Sequence, residues 1–195
     1  MSAEQPSNLA RRRLGLEARV LRRGGRVLIR APWPSDQDSF LEAVRRSRPV
    51  LRPWSYPPST AELFRAYVER SHHEDFEGFL VIRQSDQELI GAFNLSQIFR
   101  KGFQNAYLGY YAFAPHHGQG YMSEGLDLTL AQAFKTLGLH RIEANIQPEN
   151  LRSIALVRRS GFRREGFSPR YLKIGGRWRD HERWAIIREE FRLGA

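Results

Sequence analysis

The run from Tyr107 to Glu124 constrains this chain more than any other stretch. Apolar and aromatic residues from Tyr107 to Phe113 suit a strand and Pro115 ends it; after a turn bearing Gly118 and Gly120, Met122, Leu126, Leu130, Phe134 and Leu137 recur at helical spacing. The first N–H groups of a helix have no intrahelical partner and sit at the positive end of its macrodipole. Glycines just before them let a phosphate come close, so this junction is an anion site. No Lys-Ser or Lys-Thr follows, which excludes a P-loop, and the third glycine, Gly125, falls too late for the dinucleotide pattern G-x-G-x-x-G.

Upstream, residues 1–25 are rich in Arg and Gly and are expected to form a basic, partly mobile N-terminal segment. Val27-Leu28-Ile29 predicts a first strand, and Ser35 with Asp38 marks the start of a helix carrying Phe40, Leu41 and Val44. From Arg48 to Ser59, four prolines surround Trp54 and Tyr56; this predicts a stiff irregular loop, either a wall of a binding site or a cover for the core. Ser59 with Glu62 predicts a capped second helix bearing Leu63, Phe64, Tyr67 and Val68. Phe79–Ile82 and Leu89–Ile98 read as an antiparallel hairpin, followed by a strand from Asn105 to Phe113.

Downstream of the long helix, Ile142, Ala144 and Ile146 alternate with polar residues as in a strand. Asn150 caps a short helix that Gly161 terminates, and strands at Tyr171–Ile174 and Trp178–Ile187 flank the hairpin turn Gly175-Gly176.

A chain of 195 residues, 41% of them hydrophobic, can bury one substantial core. No apolar run is long enough to cross a bilayer and no secretion signal opens the chain, so a soluble cytoplasmic protein without membrane contact is expected. The absence of cysteine excludes disulfides and a thiol nucleophile. With 31 Lys plus Arg against 21 Asp plus Glu, the net charge of +10 favours polyanionic partners, a ribosome or RNA among them.

His117-Gly118-Gln119-Gly120-Tyr121-Met122 resembles the acetyl-CoA loop of GNAT N-acetyltransferases, with His where Gln or Arg is usual and Met where a small residue is usual. Pro148 to Ser153, Ser160-Gly161-Phe162 and Glu165-Gly166-Phe167 resemble the branch that acetylates ribosomal-protein N-termini, and Gly176-Arg177-Trp178-Arg179-Asp180-His181 is similar to its RimJ-type alanine N-acetyltransferases. The resemblance spans residues 26–195, which it implies to be a single GNAT domain. The implied fold is mixed α/β: one split, mostly antiparallel twisted sheet of about seven strands with helices on both faces. The implied reaction is direct transfer in a ternary complex from acetyl-CoA, with no metal, to a protein's terminal amine. A small amine or a lysine as acceptor is the alternative, as is a non-catalytic ribosome- or RNA-binding protein.

On this resemblance Tyr111, Ala112, Phe113 and the turn His117, Gly118, Gln119, Gly120, Tyr121, Met122 and Ser123 would hold the cofactor, with Asn150 beside them. A backbone N–H of Ala112 or Phe113 would polarise the thioester oxygen. A terminal amine with a pKa near ~8 is roughly a tenth neutral at pH 7, whereas a lysine near ~10.4 costs about 3.4 kcal/mol more to deprotonate, so a modest base or a water relay suffices. Glu143 is a candidate base, against pairing with an arginine; Asn150 and Ser153 are candidates for proton donation, against capping alone. In some relatives a glutamate on the strand before the last hairpin turn is the base, but Leu172 stands there in this chain. Trp54 and the carboxylates Asp180 and Glu182 are candidates for receiving a cationic peptide terminus, against a solvated or arginine-paired face.

Overall fold

The computed structural model describes residues 19–192. Eight strands form one sheet in the order β1-β2-β3-β4-β5-β6-β8-β7: β1 Val20–Arg23, β2 Val27–Arg30, β3 Phe76–Arg83, β4 Leu89–Phe99, β5 Asn105–Ala112, β6 Arg141–Ile146, β7 Arg163–Ile174 and β8 Arg177–Ile187. The helices are α1 Gln37–Leu51, α2 Ala61–Arg70, α3 Tyr121–Lys135 and α4 Leu151–Arg159. No helix among the described residues is long and apolar enough to cross a membrane.

The strand beyond the expected seven is β1, which lies inside the basic segment 1–25; residues 1–18 of that segment lie outside the described residues. Its edge position explains why composition conceals it: Val20 and Arg22 are half-buried while Leu21 and Arg23 are exposed, so little apolar patterning is needed. Glu124, in the first turn of α3, anchors the turn after β1 by accepting from the backbone N–H groups of Arg26 at 2.7 Å and Val27 at 3.2 Å.

Two apolar layers sandwich the sheet. Leu126, Leu130 and Phe134 of α3 and Leu156 and Val157 of α4 pack on one face against Phe93, Leu95, Ile142, Ala144, Trp184 and Ile186. Phe40, Val44, Phe64 and Val68 of α1 and α2 pack on the other, against Leu28, Leu80, Ile82, Ala92 and Phe113. That second layer stops at β5.

Two helix starts differ from the expected caps. α1 begins after a 3₁₀ turn, Pro34–Asp36, and Asp36 spends its carboxylate on Arg30, at 2.7 and 2.6 Å, and on the Trp33 N–H at 2.8 Å. α1 also runs through Pro49 to Leu51, further than the proline count suggests, because a proline in the last turn removes only one of the final N–H bonds. In α2 the cap is Thr60, whose Oγ1 accepts from the Leu63 N–H at 3.3 Å. Thr60→Ala should lower stability by about 1 kcal/mol, read from the midpoint of urea unfolding.

Candidate active site

Strands β5 and β6 run parallel and pair only at Asn105–Arg141, Ala106–Ile142 and Tyr107–Glu143. Beyond Tyr107 they part, while β4 stays with β5 as far as Gly91–Ala112 and β8 stays with β6 to Ile146–Glu182. The sheet therefore opens between Leu108–Ala112 and Ala144–Ile146. The Phe113 N–H is committed to the Ile90 carbonyl at 2.8 Å. In an antiparallel ladder successive residues face opposite sides, so Ala112 turns its N–H away from β4 and toward the opening. Of the two expected donors, Ala112 is the one the ladder leaves for a ligand.

The glycine turn lies at the end of β5. Gly118 and Gly120 take φ of 76° and 81°, and Gly120 is the N-cap of α3 with no side-chain cap bond, so the N–H groups of Tyr121, Met122 and Ser123 open the helix without a capping side chain. Arg26 donates to the Gln119 carbonyl at 3.0 Å and stacks on the Tyr121 ring at 4.8 Å. Arg152, in the first turn of α4, acts electrostatically on His117. Arg26 and Arg152 thus bring two guanidinium groups to the turn, and neither stands out in the sequence because arginines are frequent throughout it.

His117 is half-buried; burial lowers its pKa, opposed by a hydrogen bond to the Ala112 backbone, with Arg152 lowering it further. Met122, the other departure from the loop pattern, covers Gly91 of β4: a Cβ there would lie 2.5 Å from the Met122 sulfur. A smaller residue at 122 would leave that backbone bare. An opening between strands, an inward N–H, an uncapped helix start behind left-handed glycines and flanking guanidiniums suit an extended ligand ending in a pyrophosphate.

The remaining candidates fall into three groups. Tyr111 belongs to the α1–α2 layer, where its hydroxyl accepts from Asn94 Nδ2 at 2.9 Å, Asn94 Oδ1 accepts from Tyr67 at 2.9 Å, and burial pushes its pKa up to about 12. Asn150 caps α4 by accepting from the Ser153 N–H at 3.2 Å, and the Ser153 carbonyl accepts from the Tyr110 hydroxyl at 3.3 Å, which ties α4 to the opening. Glu143 sits at the last paired position of β5 and β6 and is bound by Arg141 at 2.8 Å; Arg141 also grips Glu165.

The third group stands on the hairpin β7–β8. Asp180 accepts from the Arg170 N–H at 2.7 Å, and Glu182 accepts from Trp184 Nε1 at 3.0 Å and pairs with Arg164 at 3.1 Å, so both carboxylates are engaged within the hairpin. Trp54 follows α1, its N–H donating to the Leu51 carbonyl at 2.9 Å. Two residues on, Tyr56 reaches the hairpin tip, where its hydroxyl occupies the space a Cβ on Gly175 would need. The proline-rich loop and the hairpin therefore meet across the face that α1 and α2 leave uncovered.

The family model for the acetyltransferase (GNAT) domain matches residues 26–163. The probable N-acetyltransferase YjcK of Bacillus subtilis is 40% identical over 121 residues, which are 62% of this chain and 67% of YjcK. The ribosomal protein uS5-alanine N-acetyltransferase of Escherichia coli is 30% identical over 177 residues, 87% of this chain and 91% of that protein. Among solved structures, Mycobacterium smegmatis RimJ in complex with CoA-disulfide superposes with a TM-score of 0.78 at 27% identity, covering 84% of this chain and 83% of RimJ.

Proposed function

This chain belongs to the GNAT acetyltransferase family, and we propose that within it the protein moves an acetyl group from acetyl-CoA to the terminal amine of a protein, a ribosomal protein with an Ala or Ser terminus being the first candidate. The observation that carries the reading is the parting of β5 from β6 beside the uncapped start of α3. The pyrophosphate would rest on the N–H groups from Gly118 to Ser123, with Arg26 and Arg152 outside it. The thioester would lie in the opening with its oxygen on the Ala112 N–H, and Asn150 and Ser153 would border it from α4. Residues 26–195 would act as one domain, and the excess of arginine would serve approach to the ribosome.

The similarity to the uS5-alanine enzyme over 87% of the chain supports the terminal-amine acceptor. The test is release of CoA thiol from acetyl-CoA by the pure protein with peptides beginning in Ala or Ser, beside lysine-bearing peptides and small polyamines. Turnover confined to the free-terminus peptides is expected; turnover confined to the other amines would remove the acceptor assignment and keep the family. Binding has its own check. CoA at a hundred times its dissociation constant should stabilise the fold by about 2.7 kcal/mol. Gly120→Val should abolish that thermal shift, because a β-branched residue is strained at φ 81° and its Cβ would press on Arg26 at 3.0 Å.

A further inference from the structure

Over β6, β8 and β7, the sheet face opposite α3 and α4 has no helix on it among the described residues, yet it is not an ordinary wet surface. Ile142, Ala144, Trp184 and Ile186 point to the α3–α4 core, so the alternation of a strand sends Glu143, Asn145, Arg179 and His181 to this other face. β7 is irregular here. Ser168 pairs with His181 and Leu172 with Arg179, so Pro169, Arg170 and Tyr171 are extra residues opposite Asp180. Arg170 takes φ 48° and is held by the Asp180 carboxylate. The bulge turns Tyr171 onto His181, ring centroids 6.0 Å apart, and brings it beside Tyr107 of β5.

His181 is only 3% exposed, and its Nδ1 lies 3.0 Å from the Arg179 carbonyl. A carbonyl can only accept, so Nδ1 carries the proton and Nε2 of the neutral ring keeps its lone pair. No hydrogen bond is made to Nε2 among the described residues, and it is not sealed from solvent. Burial lowers the His181 pKa, opposed by the Arg179 carbonyl and the Asp180 charge, so the ring stays neutral at pH 7. Arg179 and Arg183 stand two positions either side of it on the same face of β8, Asp180 adjoins it in sequence and Tyr171 reaches it from β7, while β6 runs out beside it in Asn145, Ile146 and Gln147, which carry no charge.

Two atoms on this face, unlike Nε2, are buried without partners: Asn145 Oδ1, which accepts, and Arg179 Nε, which donates. Asn145 pairs with Arg183, so the Asn145–Arg183 pair, His181 and Arg179 follow one another at two-residue steps along a single face of β8. A peptide terminus carries the matching groups in the matching order, an ammonium and then a backbone carbonyl.

We infer that this face is the acceptor track: Asn145 Oδ1 and His181 Nε2 receive the terminal ammonium, Arg179 Nε holds a following peptide carbonyl, and His181 is the group that takes the ammonium's proton. The inference rests on the terminal-amine reading above. The R–NH₃⁺ group gives one proton to Nε2, and the freed lone pair forms the C–N bond to the thioester carbon. The C–S bond then breaks, the second amine proton leaves with the thiolate as CoA thiol, and the imidazolium returns its proton to water. Glu143, held by Arg141, and Leu172, with no ionisable group, leave this role to the histidine.

The test compares the wild type with His181→Gln on an Ala-starting peptide across about pH 5 to 9, the span in which a histidine titrates. The wild-type kcat should fall on the acid side as one group titrates below the ordinary histidine range. His181→Gln should lose about 10²- to 10⁴-fold in kcat and that acid limb with it, while keeping the CoA thermal shift. Imidazole added to His181→Ala should restore part of the rate, which a purely structural histidine would not allow. Arg179→Lys should raise KM for the peptide and leave kcat in place.

A His181→Gln protein with wild-type kcat and the wild-type acid limb overturns the inference alone. If the variant does not fold, a wild-type kcat that stays flat below pH ~6.5 overturns it instead. A wild type that acetylates no peptide removes the terminal-amine reading and this inference together.

Discussion

Ala112→Pro is expected to lower kcat by about 10²- to 10³-fold while leaving CoA binding and the fold in place. The expectation follows from the ladder. Phe113 N–H bonds Ile90 and the Gly91–Ala112 pair alternates with it, so a proline at 112 removes an N–H that the β4–β5 ladder does not use. The residue before it, Tyr111, is in a strand, where a following proline is tolerated. Single-turnover acetylation checks the prediction against the CoA thermal shift. A variant that binds CoA and still acetylates at the wild-type rate would move the oxygen-polarising donor elsewhere.

Asp36→Ala should cost about 3–5 kcal/mol of stability, the largest loss expected from any single change outside the apolar layers. Arg30 and Asp36 meet through two hydrogen bonds with side chains 7% and 9% exposed, and the same carboxylate accepts from the Trp33 N–H. Removing the carboxylate strands a buried guanidinium whose Nε already has no partner. The double change Arg30→Leu with Asp36→Leu should recover much of the loss, because an apolar pair of similar volume leaves no charge behind. Urea unfolding of the three variants separates the pair's net worth from the cost of breaking it.

Much of the fold was legible because its signals are local. The glycine turn, the α3 stripe, the Asn150 cap and the Gly175-Gly176 hairpin each depend on residues a few positions apart, and each stands where the sequence places it. β1 escaped because an edge strand needs few apolar residues. Asp36 was hidden because its partner, Arg30, is fixed by the return of the chain around a 3₁₀ turn and not by helix capping.

The site was legible only in part, for the same physical reason. The glycine turn is one continuous segment, but the face proposed for the acceptor joins Tyr107, Asn145, Tyr171, Arg179 and His181 from four strands. His181 attracts no notice beside Asp180 and Glu182, whose carboxylates turn out to be held by Arg170 and by Trp184 and Arg164. Tyr171 reads as the start of a short strand, whereas it is the last residue of a bulge in a longer one. Arg26 is one arginine among many, and its contacts with Glu124, the Gln119 carbonyl and the Tyr121 ring, all distant in sequence, bring it to the turn.

The parting of β5 from β6 also has a mechanical side. Three register pairs are the whole seam between a plate of five strands and a plate of three, and past the seam each plate presents a row of backbone groups that the other does not meet. Such a gap behaves as a sheet with a strand left out. It selects an occupant that is extended and carries amides of its own, because only such a ligand can stand in for the absent rungs while its reactive end is carried through to the far face.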